Sequence, residues 1–311
     1  MSDNKQDASG GESCCACSID PSRRALLAAT AGAGAVIGIG VATPFVASFT
    51  PSERAKAAGA AKTTHAAGAA RAARATGAAI AALPARATGL YDWRGQALGA
   101  EARILIDHPD AEAITTRAAA EIVRLEAIFS LYKADSALAR LNQDGILTAP
   151  PFELLQCLAL SSRIHAASNG LFDPSIQPLW ALYANRFAAG TAPTAEDLRK
   201  TQTQVGWQNV TFDEEAIRLA PGMALTLNGI AQGFIADRIA DQLRAEGLDN
   251  ILVNTGEFRA LGSMPDGAAW PVQLTTGGDV PLVNRALASS AALGTTFDQA
   301  GKVGHILNPR S

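Results

Sequence analysis

Between Ala224 and Gly262 an apolar run, a glycine, a helical repeat and a second apolar run follow one another, which predicts strand, turn, helix and strand. Ile230, Phe234, Ile235, Ile239 and Leu243 recur at helical spacing, while Asp237, Arg238, Asp241 and Arg244 fall mostly on other faces. One side packs and the other is solvated. Asn228 is an N-cap candidate, and Gly229 leaves the first turn without a side chain. Two readings are open there: an ordinary capped helix whose glycines serve close packing, or a helix start whose free N–H groups meet an anion such as phosphate.

A folded region opens near Leu90. Tyr91 to Asp110 gives short alternating runs suited to paired strands, closed by His108-Pro109. Ile114, Ala118, Ile122, Leu125 and Phe129 then step by three or four and predict a helix from Asp110, with the pattern breaking at Tyr132 to Ser136. A second, short helix carries Leu138, Leu141 and Asn142. A third, after Pro150-Pro151, carries Leu154, Leu155, Leu158 and Ile164 and is closed by Asn169-Gly170. Leu171-Phe172-Asp173-Pro174 is a loop by its proline.

Ahead of this region the pattern changes. Residues 1–24 are polar and small and end in Pro21-Ser22-Arg23-Arg24, which resembles a twin-arginine export signal. Residues 25–50 carry no charge and, at about 1.5 Å rise per residue, are long enough to cross a hydrocarbon core of roughly 30 Å. This is a signal sequence or a membrane anchor. Arg23 and Arg24 set the N-terminus on the cytoplasmic side, which places everything after Phe49 in the periplasm. Residues 51–88 are rich in alanine with scattered arginines; they read as a spacer with nothing to bury, and the folded domain is expected over 89–311.

With 311 residues, 48% of them hydrophobic, the chain can build a sizeable core. Its 26 basic and 29 acidic residues leave a net charge of −3 and no dense basic patch with aromatics, so nucleic acid is not an expected partner. Cys14, Cys15 and Cys17 crowd ahead of the apolar segment and Cys157 lies in the third helix, which implies no disulfide framework. Cys14 and Cys17 have CxxC spacing but no second ligand pair follows, so a tail is the better reading than a zinc site. His65, His108 and His165 have no motif around them and read as structural or solvated.

Four blocks in the region from Leu90 onward resemble one family. Phe129 to Asn142, FSLYKADSALARLN, is similar to the FSTYRPDSELSRLN segment of the ApbE family, the periplasmic FAD:protein FMN transferases. Asn169 to Leu179 resembles that family's DGAFDITVGPL, Thr226 to Gly233 its DLGGIAKG, and Gly304 to Arg310 its SHIIDPRTG, in the same order. The details WRGQALGAEA, ALTLNGIAQG and NTGEFRALG look like the NosX-like branch that accompanies nitrous oxide reductase. The segment before Ala60 also resembles the uncleaved anchor of Rieske iron–sulfur subunits, although no Rieske cluster ligands follow.

The resemblance implies an α+β fold: a single flavin transferase domain behind an N-terminal membrane anchor. It implies that a Ser or Thr hydroxyl of an acceptor protein attacks the FMN phosphorus of FAD and that AMP leaves with Mg²⁺ assistance. By the same resemblance Leu98 and Tyr132 contact the flavin nucleotide, Leu171, Phe172 and Asp173 form the FAD loop, and Gly229 offers its carbonyl to Mg²⁺. His305 matches a histidine suggested to assist proton transfer, for which imidazole has a suitable pKa. The expected partners are the twin-arginine export machinery and an acceptor in the membrane system of nitrous oxide reductase.

The chain also departs from the family. Thr226 stands where the glycine block opens with an acidic residue, and Gln232 stands where a lysine is expected, so two charged FAD contacts become neutral. Gly256-Glu257 replaces a Gly-Gly pair, and Asn254 and Glu257 either serve the site or end a strand. The family continues beyond NPR with a helix supplying an aspartate and a threonine to Mg²⁺, so the C-terminal end is expected to be truncated. The alternative to a transferase is a flavin-binding accessory protein that does not transfer.

Overall fold

The computed structural model describes the backbone of residues 78–80 and all of residues 89–274 and 277–310. The polar tail, the apolar segment 25–50 and most of the spacer expected over 51–88 lie outside the described residues. No helix among the described residues is long and apolar enough to cross a membrane.

The strands are β1 (Ala78–Ile80), β2 (Tyr91–Ala97), β3 (Ala100–Ile106), β4 (Ile146–Thr148), β5 (Val210–Phe212), β6 (Ala216–Leu219), β7 (Ile251–Asn254), β8 (Phe258–Leu261), β9 (Trp270–Leu274), β10 (Asp279–Leu282) and β11 (Ala286–Leu287). The helices are α1 (Ala111–Phe129), α2 (Ala137–Asp144), α3 (Phe152–Ala167), α4 (Gln177–Ala188), α5 (Ala195–Gln202) and α6 (Ala231–Ala245). A five-stranded sheet runs β11-β8-β7-β3-β2, and two three-stranded sheets run β1-β9-β10 and β4-β6-β5. Every pairing is antiparallel. Helices set beside antiparallel sheets make the α+β class expected from the sequence.

On β3 the alternation expected over Tyr91 to Asp110 holds for Ala100–Arg103 and is lost over Ile104-Leu105-Ile106, as it is over Ile251-Leu252-Val253 of β7. Ile104 and Ile106 on β3, with Ile251 and Val253 on β7, point into a core shared with α1, α2, α3 and α6. Leu105 and Leu252 point the other way, into a second core with Phe258, Trp270, Val272 and Leu282. Both faces of the sheet are therefore buried at Ile104–Ile106 and Ile251–Val253, and there both sides of the strand must be apolar. On α1, Ile114, Ala118, Ile122, Leu125 and Phe129 are all buried, as the period demands. On α6 the buried positions include Ile235, Ile239 and Leu243 while Asp237 and Asp241 are exposed.

Three expectations need correction. Ala224–Leu227 is not a strand: its polar backbone groups are taken by the Asn142 side chain and Pro174 rather than by a sheet neighbour. The helix expected to be capped by Asn228 begins at Ala231, behind a turn closed by Ile230 N–H to Leu227 O, and has no side-chain cap. Asn228 is left exposed for other work. Finally, Ala78–Ile80 in the alanine-rich stretch is an edge strand, with Ala79 opposite Gln273 on β9. Strand pairing uses backbone groups, so it needs no apolar periodicity in the strand itself.

Candidate functional site

The first three sequence blocks are joined through backbone groups, and the fourth is seated by α5. Asn142, near the end of α2, donates from Nδ2 to Leu225 O at 2.8 Å and accepts Leu225 N–H on Oδ1 at 2.7 Å, clamping the segment before the glycine block. Thr226 N–H donates to Pro174 O at 2.8 Å, which joins that segment to the loop after α3. Gln202 on α5 donates to Pro309 O at 3.0 Å and seats the last block. The first block holds its own shape through two buried serines. Ser130 Oγ accepts the Tyr132 and Lys133 N–H groups, while Ser136 Oγ donates to Ser130 O and caps α2 at Ala139.

The loop after α3 is fixed by its polar residues. Asn169 and Gly170 take positive φ values of 51° and 78° and turn the chain out of the helix. His165 places Nδ1 2.8 Å from Phe172 O. The Asp173 carboxylate is turned inward: Oδ1 accepts Ser175 N–H at 2.8 Å and Ser175 O–H at 2.6 Å, and Oδ2 accepts Trp207 N–H at 3.2 Å. Its side chain is only 6% exposed. Asp173 thus shapes the loop rather than presenting a carboxylate at its surface.

These connections leave a cleft of about 260 Å³ whose walls include Leu171, Phe172, Asp173, Thr226, Gly229 and His305. Six of the nine residues singled out from the sequence meet there. Asn228, Trp180 and Ile306 line it as well. Leu171 and Ile306 are 50% and 55% exposed, giving the cleft an apolar rim. Tyr132 adjoins through a hydrogen bond between its hydroxyl and Asn228; burial pushes the phenol above its ordinary pKa and that bond pulls it partly back.

His305 is held by a two-point contact with Thr295, whose carbonyl accepts the His305 backbone N–H at 3.0 Å and lies 3.0 Å from Nδ1. A carbonyl only accepts, so the neutral ring carries its proton on Nδ1 and keeps the Nε2 lone pair free.

Leu98 and Gln232 are not among the cleft's lining residues. Leu98 forms the β2–β3 turn with Gly99 at φ values of 50° and 81°, a left-handed geometry that costs a leucine about 1 kcal/mol. Gln232 lies over the β7–β8 turn, where a Cβ on Gly256, at φ 99°, would stand 2.4 Å from Gln232 Nε2. Glu257 accepts Ser289 N–H, and burial pushes its carboxyl up to about 7. Cys157 is buried, its thiol pushed up to about 12, and so is not a nucleophile.

No group of three or more His, Cys, Asp or Glu side chains able to hold a metal occurs among the described residues. The Asp173 carboxylate is already taken by Ser175 and Trp207, and Gly229, expected to offer its carbonyl to Mg²⁺, is among the residues lining the cleft.

Trp180 also lines the cleft without any sequence signal singled out for it. Trp180 lies on α4, which was not assigned; its spacing with Tyr183 and Phe187 was the available signal. All three pack around Phe297, at ring-centroid distances of 5.3 to 6.3 Å. Asn228, which the sequence marks as a cap, instead bonds the Tyr132 hydroxyl.

Residues 98–311 match the family model described as "ApbE family". The chain belongs to the ApbE family. It is 30% identical over 212 residues to the FAD:protein FMN transferase of Klebsiella pneumoniae, covering 64% of this chain and 66% of the relative. It is 29% identical to that of Haemophilus influenzae, covering 60% of each. The chain thus spans less than two thirds of the length of these curated relatives. The apo flavinyl transferase ApbE of Pseudomonas stutzeri superimposes with a TM-score of 0.61 at 26% identity, covering 71% of this chain and 74% of that one. The ApbE protein of Thermotoga maritima gives 0.64 at 22% identity, a likeness of fold.

Proposed function

We propose that this ApbE-family chain transfers FMN from FAD to a Ser or Thr hydroxyl of an acceptor protein. The observation that carries the reading is the meeting of the FAD loop, the glycine block and His305 around one cleft. Relatives named for this reaction lend support.

The acceptor hydroxyl oxygen attacks the FMN phosphorus and forms the new P–O bond. The bond from that phosphorus to the bridging oxygen breaks, and AMP departs with that oxygen. The hydroxyl proton passes to Nε2 of His305, which the Thr295 contact leaves unprotonated. Phosphoryl transfer of this kind depends mainly on positioning and on stabilising charge at the phosphoryl oxygens.

Gly229 suits an approaching phosphate. A Cβ there would meet only Phe172, at an ordinary 3.4 Å, so packing does not require glycine at this position. A bare backbone beside the cleft is what a phosphate needs. At about 260 Å³ the cleft is smaller than a typical ligand pocket of roughly 300–1,000 Å³, so the rest of FAD extends over the exposed rim of Leu171 and Ile306. Mg²⁺ belongs to the reading through the family resemblance alone. A single carbonyl anchors that ion poorly, and no step above runs through it.

The finer reading is a NosX-like protein exported by the twin-arginine route and tethered by residues 25–50, with a spacer ahead of a periplasmic domain. The acceptor is then a membrane protein supporting nitrous oxide reductase, and a shared membrane face favours their encounter. A second reading, flavin binding without transfer, is favoured by the neutral Gln232, whose amide sits on Gly256 rather than in the cleft. Incubation with FAD, Mg²⁺ and the candidate acceptor domain separates the two. AMP release abolished by His305→Ala supports transfer; retained flavin without AMP supports binding alone.

A further inference from the structure

Two residues that the family resemblance places on the flavin nucleotide, Leu98 and Tyr132, come from segments far apart in sequence. The Leu98 N–H sits in a two-residue turn, where the strand ladder offers it no partner, and it donates to Glu126 Oε1. Lys133, next to Tyr132, donates from Nζ to the other oxygen of the same carboxylate at 2.7 Å. The Glu126 side chain is 13% exposed, while that of Lys133 stays largely in solvent, so the carboxylate is the shielded partner of the two contacts.

The position of Glu126 is not explained by helix stability. It lies in the last turn of α1, which has no basic residue there, and a carboxylate at a helix C-terminus faces the negative end of the dipole. What it gains is the pair of contacts. The left-handed Leu98 needs an external hold, because its own backbone preference opposes the turn.

We propose that Glu126 is a positioning residue for nucleotide binding: it latches the Leu98 turn to the Tyr132–Lys133 loop and so fixes two sides of the flavin contact surface in one arrangement. The inference rests on the FAD reading above. Because the latch acts before any bond is broken, its loss weakens FAD binding without slowing the bound reaction.

The test uses the full chain with Glu126→Ala, Glu126→Gln, Lys133→Met and the Gln/Met double variant. Glu126→Ala is expected to raise both the Kd and the KM for FAD by about tenfold with kcat nearly unchanged, and Glu126→Gln to fall between, since Gln still accepts the Leu98 N–H. Unchanged Kd, or a loss confined to kcat, overturns the latch. If Glu126→Ala fails to fold, the double variant decides. Adding Lys133→Met to Glu126→Gln has no further effect if one contact is shared, and additive losses overturn it. If the wild type takes up no FAD, the functional reading fails by itself. Hydrogen exchange at residues 97–100 then judges the latch separately: faster exchange in Glu126→Ala supports it, and equal exchange overturns it.

Discussion

Nδ1 of His305 lies 3.0 Å from the carbonyl oxygen of Thr295, and that contact decides which ring nitrogen can accept a proton. His305→Ala or His305→Gln is expected to slow AMP release by about a hundredfold or more while leaving FAD affinity close to that of the wild type. Initial rates and a binding titration on the same preparations check it. A variant that loses binding and rate together would assign His305 to the cleft wall instead.

Asp173 is expected to matter for folding more than for chemistry. Replacing it with Ala strands the Ser175 and Trp207 N–H groups, at a cost of about 3 kcal/mol. In a domain of this size that lowers Tm by roughly 6–12 °C. Asp173→Asn keeps an acceptor oxygen and should lose less. Thermal melting followed by circular dichroism distinguishes the two.

Gly256→Ala meets both a close approach to Gln232 and a left-handed backbone at φ 99°. It should destabilise the domain by about 1–3 kcal/mol. Adding Gln232→Ala should recover only part of that, because it removes the clash and leaves the backbone strain. Urea unfolding of the single and double variants measures the difference. Full recovery would deny the backbone contribution, and none would deny the contact.

Glu257 makes stability depend on pH. Burial raises its folded carboxyl to about 7 from an ordinary 4.5, so between those values the folded state holds a proton that the unfolded state has released. Stability therefore falls as pH rises from about 4.5 to 7, by about 3 kcal/mol in all, and levels off above. In Glu257→Gln this component vanishes. Urea midpoints at pH 5 and pH 7.5 should draw together in the variant relative to the wild type; equal spacing in both would contradict the burial argument.

How far the sequence led depended on where each element gets its partners. The helix α1 was legible because Ile114 to Phe129 face a single core at helical spacing. β7 shows as a continuous apolar run because both of its faces are covered, whereas the alternation expected for β3 holds only over Ala100–Arg103, before its apolar Ile104–Ile106 end. Ala224–Leu227 looked like a strand for the same reason, since Leu225 and Leu227 are buried, yet its backbone is satisfied by Asn142, which no local pattern announces. The small sheet β4-β6-β5 was not foreseen, because strands of three or four residues carry too little pattern. At the site, the order of the four blocks brought six of nine chosen residues to one cleft. Gln232 lies elsewhere because its side chain settles on a glycine 24 positions along the chain, a contact that spacing cannot reveal.

The central claim is tested most directly by counting products: AMP released and flavin bound covalently to the acceptor, in the same reaction with FAD and Mg²⁺. The account predicts one AMP for each FMN attached to a Ser or Thr of the acceptor, with both lost in His305→Ala. Flavin that binds to this chain while neither AMP nor covalent flavin accumulates would contradict transfer and leave a protein that only holds the nucleotide.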